Sequence, residues 1–438
     1  FTQLRGLTFK PDGTKMYVIG SSTDSIYQYS TVLTTNTLDL SSGSVFKITP
    51  TSDIEVQLSN PAASGTSSGA TLLLGAEDST GVGSTFSTTL YTGTATARTI
   101  TNGLDLAGDG GMTWLKARST TGHNHLADTE RGGNKWLYSN LTQGQDTVAY
   151  IPSFNSDGFD LNTSAAINAS GTTYVSWTFK KQTKFFDVVT YAGDGVSGRQ
   201  IAHNLGSAPG IIMIKRTNAT DDWAVFHKDA GGILELNNTG AAGSGAGIYT
   251  DAAEQTSTVF RVFNNTTTNA SGSTYVAYLF ADNTAPDSLI KCGTFTTDAG
   301  GNFSVNLGWE PQWVMVKSTN FTDSWMLMDV KRGMSQTATK VLRPNTNGAE
   351  SNYTQGYCTA TATGFTATTA GLFTGSKNFI YMAIRALSAP TITYPSTLKW
   401  PSGTAPTSPA VGETDVITFN TTDGGTTYKS ALAIDGAK

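Results

Sequence analysis

Asn168-Ala-Ser-Gly-Thr-Thr-Tyr-Val-Ser-Trp-Thr-Phe179 decides how this chain is read, because it returns as Asn269-Ala-Ser-Gly-Ser-Thr-Tyr-Val-Ala-Tyr-Leu-Phe280. A third, more diverged copy reads Thr374-Gly-Ser-Lys-Asn-Phe-Ile-Tyr-Met-Ala-Ile384. In each copy small turn residues lead into a run rich in Tyr, Val, Thr, Ile and Phe, the composition of a strand. A spacing of about a hundred residues is one whole domain, whereas solenoid turns repeat every 20–50 or so. We therefore expect three similar β-domains.

The rest of each copy agrees. A strand and a glycine turn open it, at Leu90-Tyr-Thr-Gly93, Val189-Thr-Tyr-Ala-Gly193 and Ile290-Lys-Cys-Gly293. A signature strand follows, at Met112-Thr-Trp-Leu-Lys116, Ile211-Ile-Met-Ile-Lys215 and Trp313-Val-Met-Val-Lys317. Both faces of this strand are apolar, so it should lie centrally and be covered twice. The lysine ending each copy should mark where the strand leaves the core. Next come His125-Leu-Ala-Asp128, Trp223-Ala-Val-Phe-His227 and Trp325-Met-Leu-Met-Asp329, then turns into Phe159 and Phe365. Short strands with regular Gly and Asn turns predict an all-β fold of tandem β-sandwich or jelly-roll domains, three repeats in series. Only Asp251 to Phe263 suggests a short helix.

We place the repeats at 86–184, 185–285 and 286–387. Before them, residues 1–47 read as a hairpin and a third strand resembling one blade of a β-propeller, built around Pro11-Asp-Gly13. One blade cannot close a propeller of about four to eight, so the chain is expected to be the C-terminal part of a longer protein or to pack this hairpin on a neighbour. Residues 48–85 are rich in Ser, Thr, Gly and Ala and read as linker, with a short strand at Ala70–Leu74. Residues 388–438 read as a proline-punctuated arm ending in a small β-hairpin unit turned at Asp423-Gly-Gly.

Composition narrows the function. The 438 residues suit about three to four domains. Charged residues make up 14%, hydrophobic residues 38%, and the net charge is -5. That apolar content supports real cores and argues against disorder. Basic patches are small and scattered, which argues against nucleic acid as a partner. No apolar run approaches the roughly 20 residues of a membrane span, so no membrane insertion is expected. The only cysteines, Cys292 and Cys358, exclude a disulfide scaffold. A bond between them and two buried thiols both stay open, with buried thiols favoured.

No catalytic constellation appears: there is no nucleophile elbow, Walker loop or dinucleotide fingerprint. We expect no enzyme activity and no cofactor. Asp128 with Arg131, and Asp329 with Arg332, repeat a spacing of three before a glycine. We read them as exposed turn-stabilising pairs, worth under about 1 kcal/mol each. His123 and His125 lack the further ligands that zinc requires, so no metal is expected. Trp223 and Trp325 are read as core. Trp309, Trp400 and Trp136 are the candidates for stacking on a glycan or partner, the first two because they adjoin Pro311 and Pro401.

The run from Trp114 to Ser119, the element Asp128-Thr-Glu-Arg-Gly132, Phe154-Asn-Ser-Asp-Gly-Phe159 and Asn168 to Trp177 together resemble a repeat of structural proteins of tailed phages, marine and cyanophage-like ones above all. The likeness covers about 90 to 385. Its signature positions here are Trp114, Lys116, Asp128, Arg131, Lys215, Trp223, Lys317, Trp325, Asp329 and Arg332. The resemblance implies a virion protein, a tail fibre or tail-associated adhesin for host attachment. It implies location on the particle exterior, other virion proteins as partners, host-surface glycan as a ligand, and a homo-oligomer, with a trimer favoured. A capsid decoration or head-fibre protein is the first alternative and a polysaccharide depolymerase the second. A secreted bacterial surface adhesin is a third. The closing strand of the third repeat departs from the pattern, and the second repeat lacks the Asp-x-x-Arg-Gly element.

Overall fold

Each repeat builds one principal antiparallel sheet in which the closing strand lies between the opening and signature strands. In the computed structural model the first repeat orders Phe86–Thr92, Thr173–Lys180, Gly111–Ala117, His125–Asp128, Lys135–Tyr138 and Asp146–Thr147 side by side. The second repeat orders Phe186–Ala192, Thr274–Ala281, Pro209–Arg216, Ala224–His227 and Leu234–Glu235. The third orders Ile290–Thr296, Asn378–Arg385, Pro311–Ser318 and Met326–Asp329. The structure describes all residues except 1–3, 10–14, 21–25, 31–34, 40–44, 51–52, 60–67, 76–77, 79, 244–254, 284, 286, 336, 355–357, 369–370, 374, 390–391, 402, 422–426 and 438.

Register makes the three copies superimposable. Trp114 lies opposite Trp177, Met213 opposite Tyr278, and Met315 opposite Met382. A small second sheet covers the principal one in each repeat. It pairs Arg98–Thr101 with Gly158–Leu161, Arg199–Ala202 with Val259–Val262, and Phe303–Asn306 with Gly364–Ala367. Glycine is needed where this sheet begins, since a Cβ at Gly158 or Gly364 would collide with the backbone oxygen of Ile100 or Val305. The all-β expectation therefore holds. The helix expected over 251–263 does not: Val259–Val262 is a strand, and 251–254 lie outside the described residues. The single α-helical turn described is Ala165–Asn168, capped by Ser164.

The three repeats are equivalent, as expected, but they do not stand in series. Residues 82–386 form one compact unit. One face of each signature strand, carrying Met112 and Trp114, Ile211 and Met213, or Trp313 and Met315, enters a core shared by all three repeats. Phe179, Phe280 and Ile384 of the closing strands join it. The other face serves the repeat's own sandwich, as with Leu115 and Ala117 in the first and Val314 and Val316 in the third. Being apolar on both sides is thus satisfied by a neighbour on one side. Magnitude decides for this arrangement. Leaving such side chains in water costs about 1.5–3 kcal/mol each, so three or four per repeat would cancel most of a domain's typical 5–15 kcal/mol or so.

The third repeat's divergence has a packing reason. Tyr91 stacks on Tyr174 at 5.1 Å, Tyr191 on Tyr275 at 5.2 Å, and Phe295 on Phe379 at 5.0 Å. The hydroxyls of Tyr174 and Tyr275 each bond the turn before the closing strand, whose buried Asn168 or Asn269 ties it to the loop that follows the opening strand. Where the tyrosines become phenylalanines, buried Phe373 fills the asparagine's place against Phe303 and Phe379. The opening turn also shifts. Gly93 and Gly193 follow their strands, whereas Gly293 sits mid-strand opposite Tyr381.

Residues 1–81 with 387–438 form a second compact unit. Leu4–Phe9, Lys15–Gly20 and Ile26–Ser30 pair antiparallel in that order, as a blade would; the Pro11-Asp-Gly13 turn lies outside the described residues. The linker reading of 48–85 is corrected. Ser68–Gly75 is a strand between Val45–Ile48 and Thr414–Thr421, and Ile54–Ser59 joins Thr35–Asp39 and Ile392–Thr393. Leu72, Leu74, Ile417 and Phe419 bury one another, so this segment and the C-terminal arm are one folded body. Thr414–Thr421 and Tyr428–Ala437 pair as the expected hairpin, with its turn at 422–426 outside the described residues.

Candidate functional site

Polar side chains inside an apolar core need partners, and here the partners belong to the next repeat. Asp128, His227 and Asp329 occupy one equivalent position, opposite Met112, Ile211 and Trp313. From the first repeat, Asp128 Oδ2 accepts from the Tyr278 hydroxyl of the second at 2.8 Å, and Arg131 Nη2 donates to that hydroxyl at 3.0 Å. From the second, His227 Nε2 bonds the Tyr381 carbonyl of the third at 3.2 Å. Its Nδ1 accepts from the Asp229 N–H at 3.1 Å, so Nε2 carries the proton. From the third, Asp329 Oδ2 accepts from Trp177 Nε1 of the first at 3.0 Å, and the Arg332 guanidinium lies 5.1 Å over that indole. One position in three repeats therefore closes a ring, first to second to third to first.

A second ring runs the other way. Trp223 Nε1 donates to the Tyr138 carbonyl at 3.0 Å and Trp325 Nε1 to the Glu235 carbonyl at 2.9 Å. Asn124, at the equivalent place, donates to the Thr346 carbonyl at 2.9 Å. The backbone N–H of each is received by a matching asparagine: Asn237 for Trp223, Asn345 for Trp325 and Asn140 for Asn124.

The three lysines that end the signature strands are buried, contrary to expectation. Each donates to the carbonyl of its own next residue, Ala117, Arg216 or Ser318. Lys215 also reaches Thr142 of the first repeat at 3.0 Å, and Lys317 reaches Thr239 of the second at 3.3 Å. Burial lowers the pKa of each to about 8. Their long stems cover apolar surface while the ammonium finds carbonyls instead of water.

The junctions also differ in what stands beside the paired arginines. Backbone bonds Gln145 to Thr217, Ala242 to Thr319 and Glu350 to Arg118 are equivalent in the three interfaces. Between third and first repeats, Glu350 accepts from Arg118 Nε and Nη2 at 2.9 and 3.0 Å and from Arg332 Nη1 at 3.2 Å. Burial opposes ionisation of Glu350, but the two guanidinium groups hold its carboxyl below the usual range. Between first and second repeats, Gln145 replaces that glutamate and Thr217 replaces Arg118. An open cleft of about 440 Å³ lies there, lined by Glu130, Arg131, Lys135, Gln145, Tyr191 and Thr217 among others. Among the described residues Arg131 Nη1 meets only the neutral Gln145 Oε1, at 3.2 Å.

A family model described as a domain of unknown function (DUF7483) matches residues 82–386. The chain belongs to this family. The matched span coincides with the compact unit of three repeats, so the family's domain is the closed ring and not the single sandwich. No curated protein matches the chain.

Several site expectations change. The Asp128–Arg131 and Asp329–Arg332 pairs are buried, not exposed, because they sit where two repeats meet. Trp309 and Trp136 are buried and so present no stacking face; Trp309 donates to Ser288 Oγ at 3.2 Å. Trp400 is half-buried in the other unit and packs edge-on against Tyr394 at 5.2 Å. Trp114, Trp223 and Trp325 are core, the last two as read. His125 is buried among Trp136, Tyr138 and Tyr150, and burial lowers its pKa to about 3. Cys292 and Cys358 are free, buried thiols. Among the described residues no three His, Cys, Asp or Glu side chains gather as metal ligands would, and no helix is long and apolar enough to cross a membrane. The residues that sequence reading missed are Trp177, Tyr278, His227 and the three asparagines. The available signal was His227 standing where the other repeats have Asp128 and Asp329.

Proposed function

We propose that this chain is a non-enzymatic structural protein of a tailed-phage virion, a tail-fibre or tail-associated adhesin segment that attaches to host-surface glycan. One observation carries the reading: the charged and aromatic signature residues of the repeats are engaged in bonds between repeats. Such chemistry holds a body rigid and leaves loops at the sandwich ends to make contact. The three sandwiches close on one another, so the unit acts as one block and not as domains extended in series. Display of several copies, as a homotrimer of the whole chain, would raise weak glycan contacts to useful avidity.

The closed ring also gives the capsid-decoration reading a footing. A body with three near-equivalent faces matches a three-fold seat on a symmetric shell. Antibody labelling of intact particles separates the two, tail labelling supporting the adhesin and shell labelling the decoration protein. Release of reducing ends from host capsule or lipopolysaccharide would overturn the non-enzymatic reading. Mass photometry reads the trimer directly, and a monomer at all concentrations removes it.

A further inference from the structure

We propose that the cleft between the first and second repeats binds a carboxylated saccharide, its carboxylate seated beside Arg131 and Lys135; this rests on the attachment reading above.

The protein supplies the template for that ligand. At the equivalent place between third and first repeats, a carboxylate does occupy the site: Glu350, held by Arg332 and Arg118. Arg131 is the counterpart of Arg332, each paired with the aspartate three residues earlier. Yet its cleft offers a neutral amide at Gln145 and a short Thr217 where the filled junction has Glu350 and Arg118. Two substitutions thus remove an anion and a bulky side chain from one of two like junctions, and an open space with a cationic wall results. Arginine forks and carboxylates are matched in geometry as well as charge.

The rest of the lining suits a sugar. The volume, about 440 Å³, lies within the range of small-molecule sites. Threonine hydroxyls and the half-buried Tyr191 ring combine hydrogen-bonding groups with an apolar wall. Among the described residues none pairs with the Lys135 ammonium, so it is open to a second anion contact. Glu130, tied to Lys181 at 2.7 Å, lowers the positive potential of the same wall. That balance suits a single carboxylate better than a phosphate dianion.

The probe is digalacturonic acid, titrated into the full chain by calorimetry and saturation-transfer NMR, with cellobiose as the neutral control. Binding of the acid and not of cellobiose is expected. Lys135→Gln should weaken it by about tenfold. The double variant Gln145→Glu with Thr217→Arg rebuilds the filled junction and should abolish binding while leaving the melting temperature near that of the parent. Absence of binding to the parent chain, or undiminished binding to the folded double variant, overturns the proposal. Adsorption of labelled protein to host cells is measured alongside. Cell binding without digalacturonate binding sinks the cleft and spares the attachment reading; the reverse spares the cleft and sinks attachment.

Discussion

Trp177 Nε1 donates to Asp329 Oδ2 at 3.0 Å, and this bond ties the first repeat to the third across 152 positions of chain. It closes the ring, so it should affect the whole unit and not one sandwich. The acceptor is a buried carboxylate that retains Arg332 when the indole is lost. We expect Trp177→Phe to lower unfolding free energy by about 2 kcal/mol, the scale of a hydrogen bond to a charged group. We further expect one cooperative transition for residues 82–386 in both proteins. Calorimetry alongside urea titration checks this, and separate melting of three units would refute the shared core.

His227 makes the unit acid-sensitive. Burial lowers its pKa to about 4, against an ordinary 6.5, and its bond to the Tyr381 carbonyl only partly offsets that. Below pH 6.5 the unfolded chain therefore binds a proton that the folded chain does not. Stability falls as pH drops from about 6.5 towards 4, by about 3 kcal/mol from this group. His227→Gln should remove its share of that fall and leave the share of His125, whose pKa burial lowers to about 3. Denaturant midpoints between pH 7 and pH 4 for both proteins decide it.

The buried lysines act at the other end of the scale. With folded pKa values of about 8 against 10.5, Lys116, Lys215 and Lys317 are neutral in the folded state and charged in the unfolded one across that window. The unfolded chain holds more protons there, so stability rises with pH from about 8. Cys292, Cys358 and Tyr278, raised by burial, oppose the rise once their unfolded counterparts ionise. Lys215→Met should remove roughly a third of the slope between pH 8 and 9. An unchanged slope would mean that Lys215 stays charged in the fold.

The strands and their threefold repetition were legible because period and turn residues are local properties. The segment read as a strand at Trp223-Ala-Val-Phe-His227 is one from Ala224 to His227. The ring was not legible because a strand apolar on both faces, such as Ile211 to Ile214, is satisfied equally by its own sandwich or by a neighbour's. Lys215 misled for a related reason. Lysine is rarely buried, and the carbonyls of Thr142, Arg216 and Asp221, the first of them in another repeat, make its burial tolerable. The cleft was hidden altogether, since Gln145 and Thr217 acquire meaning only beside Glu350 and Arg118.

Asn269 carries the last expectation. It is fully buried, donates to the Val196 carbonyl at 2.8 Å and to Asp194 Oδ1 at 2.9 Å, and accepts from the Asp194 N–H at 3.2 Å. Alanine there would remove all three of these bonds from a buried position and leave a space in place of the amide, so we expect Asn269→Ala to cost about 2 kcal/mol. In the third repeat the same place holds Phe373, packed against Phe303 at 4.8 Å. Installing the pattern of the other two copies by Phe373→Asn should fail, because Phe295 and Phe379 lack the hydroxyls that fix the asparagine's turn there. The loss should approach the 3–5 kcal/mol or so of a large core truncation, larger than that of Asn269→Ala. Urea unfolding of the two single variants ranks them, and the opposite order would show that the asparagine turn stands without its tyrosines.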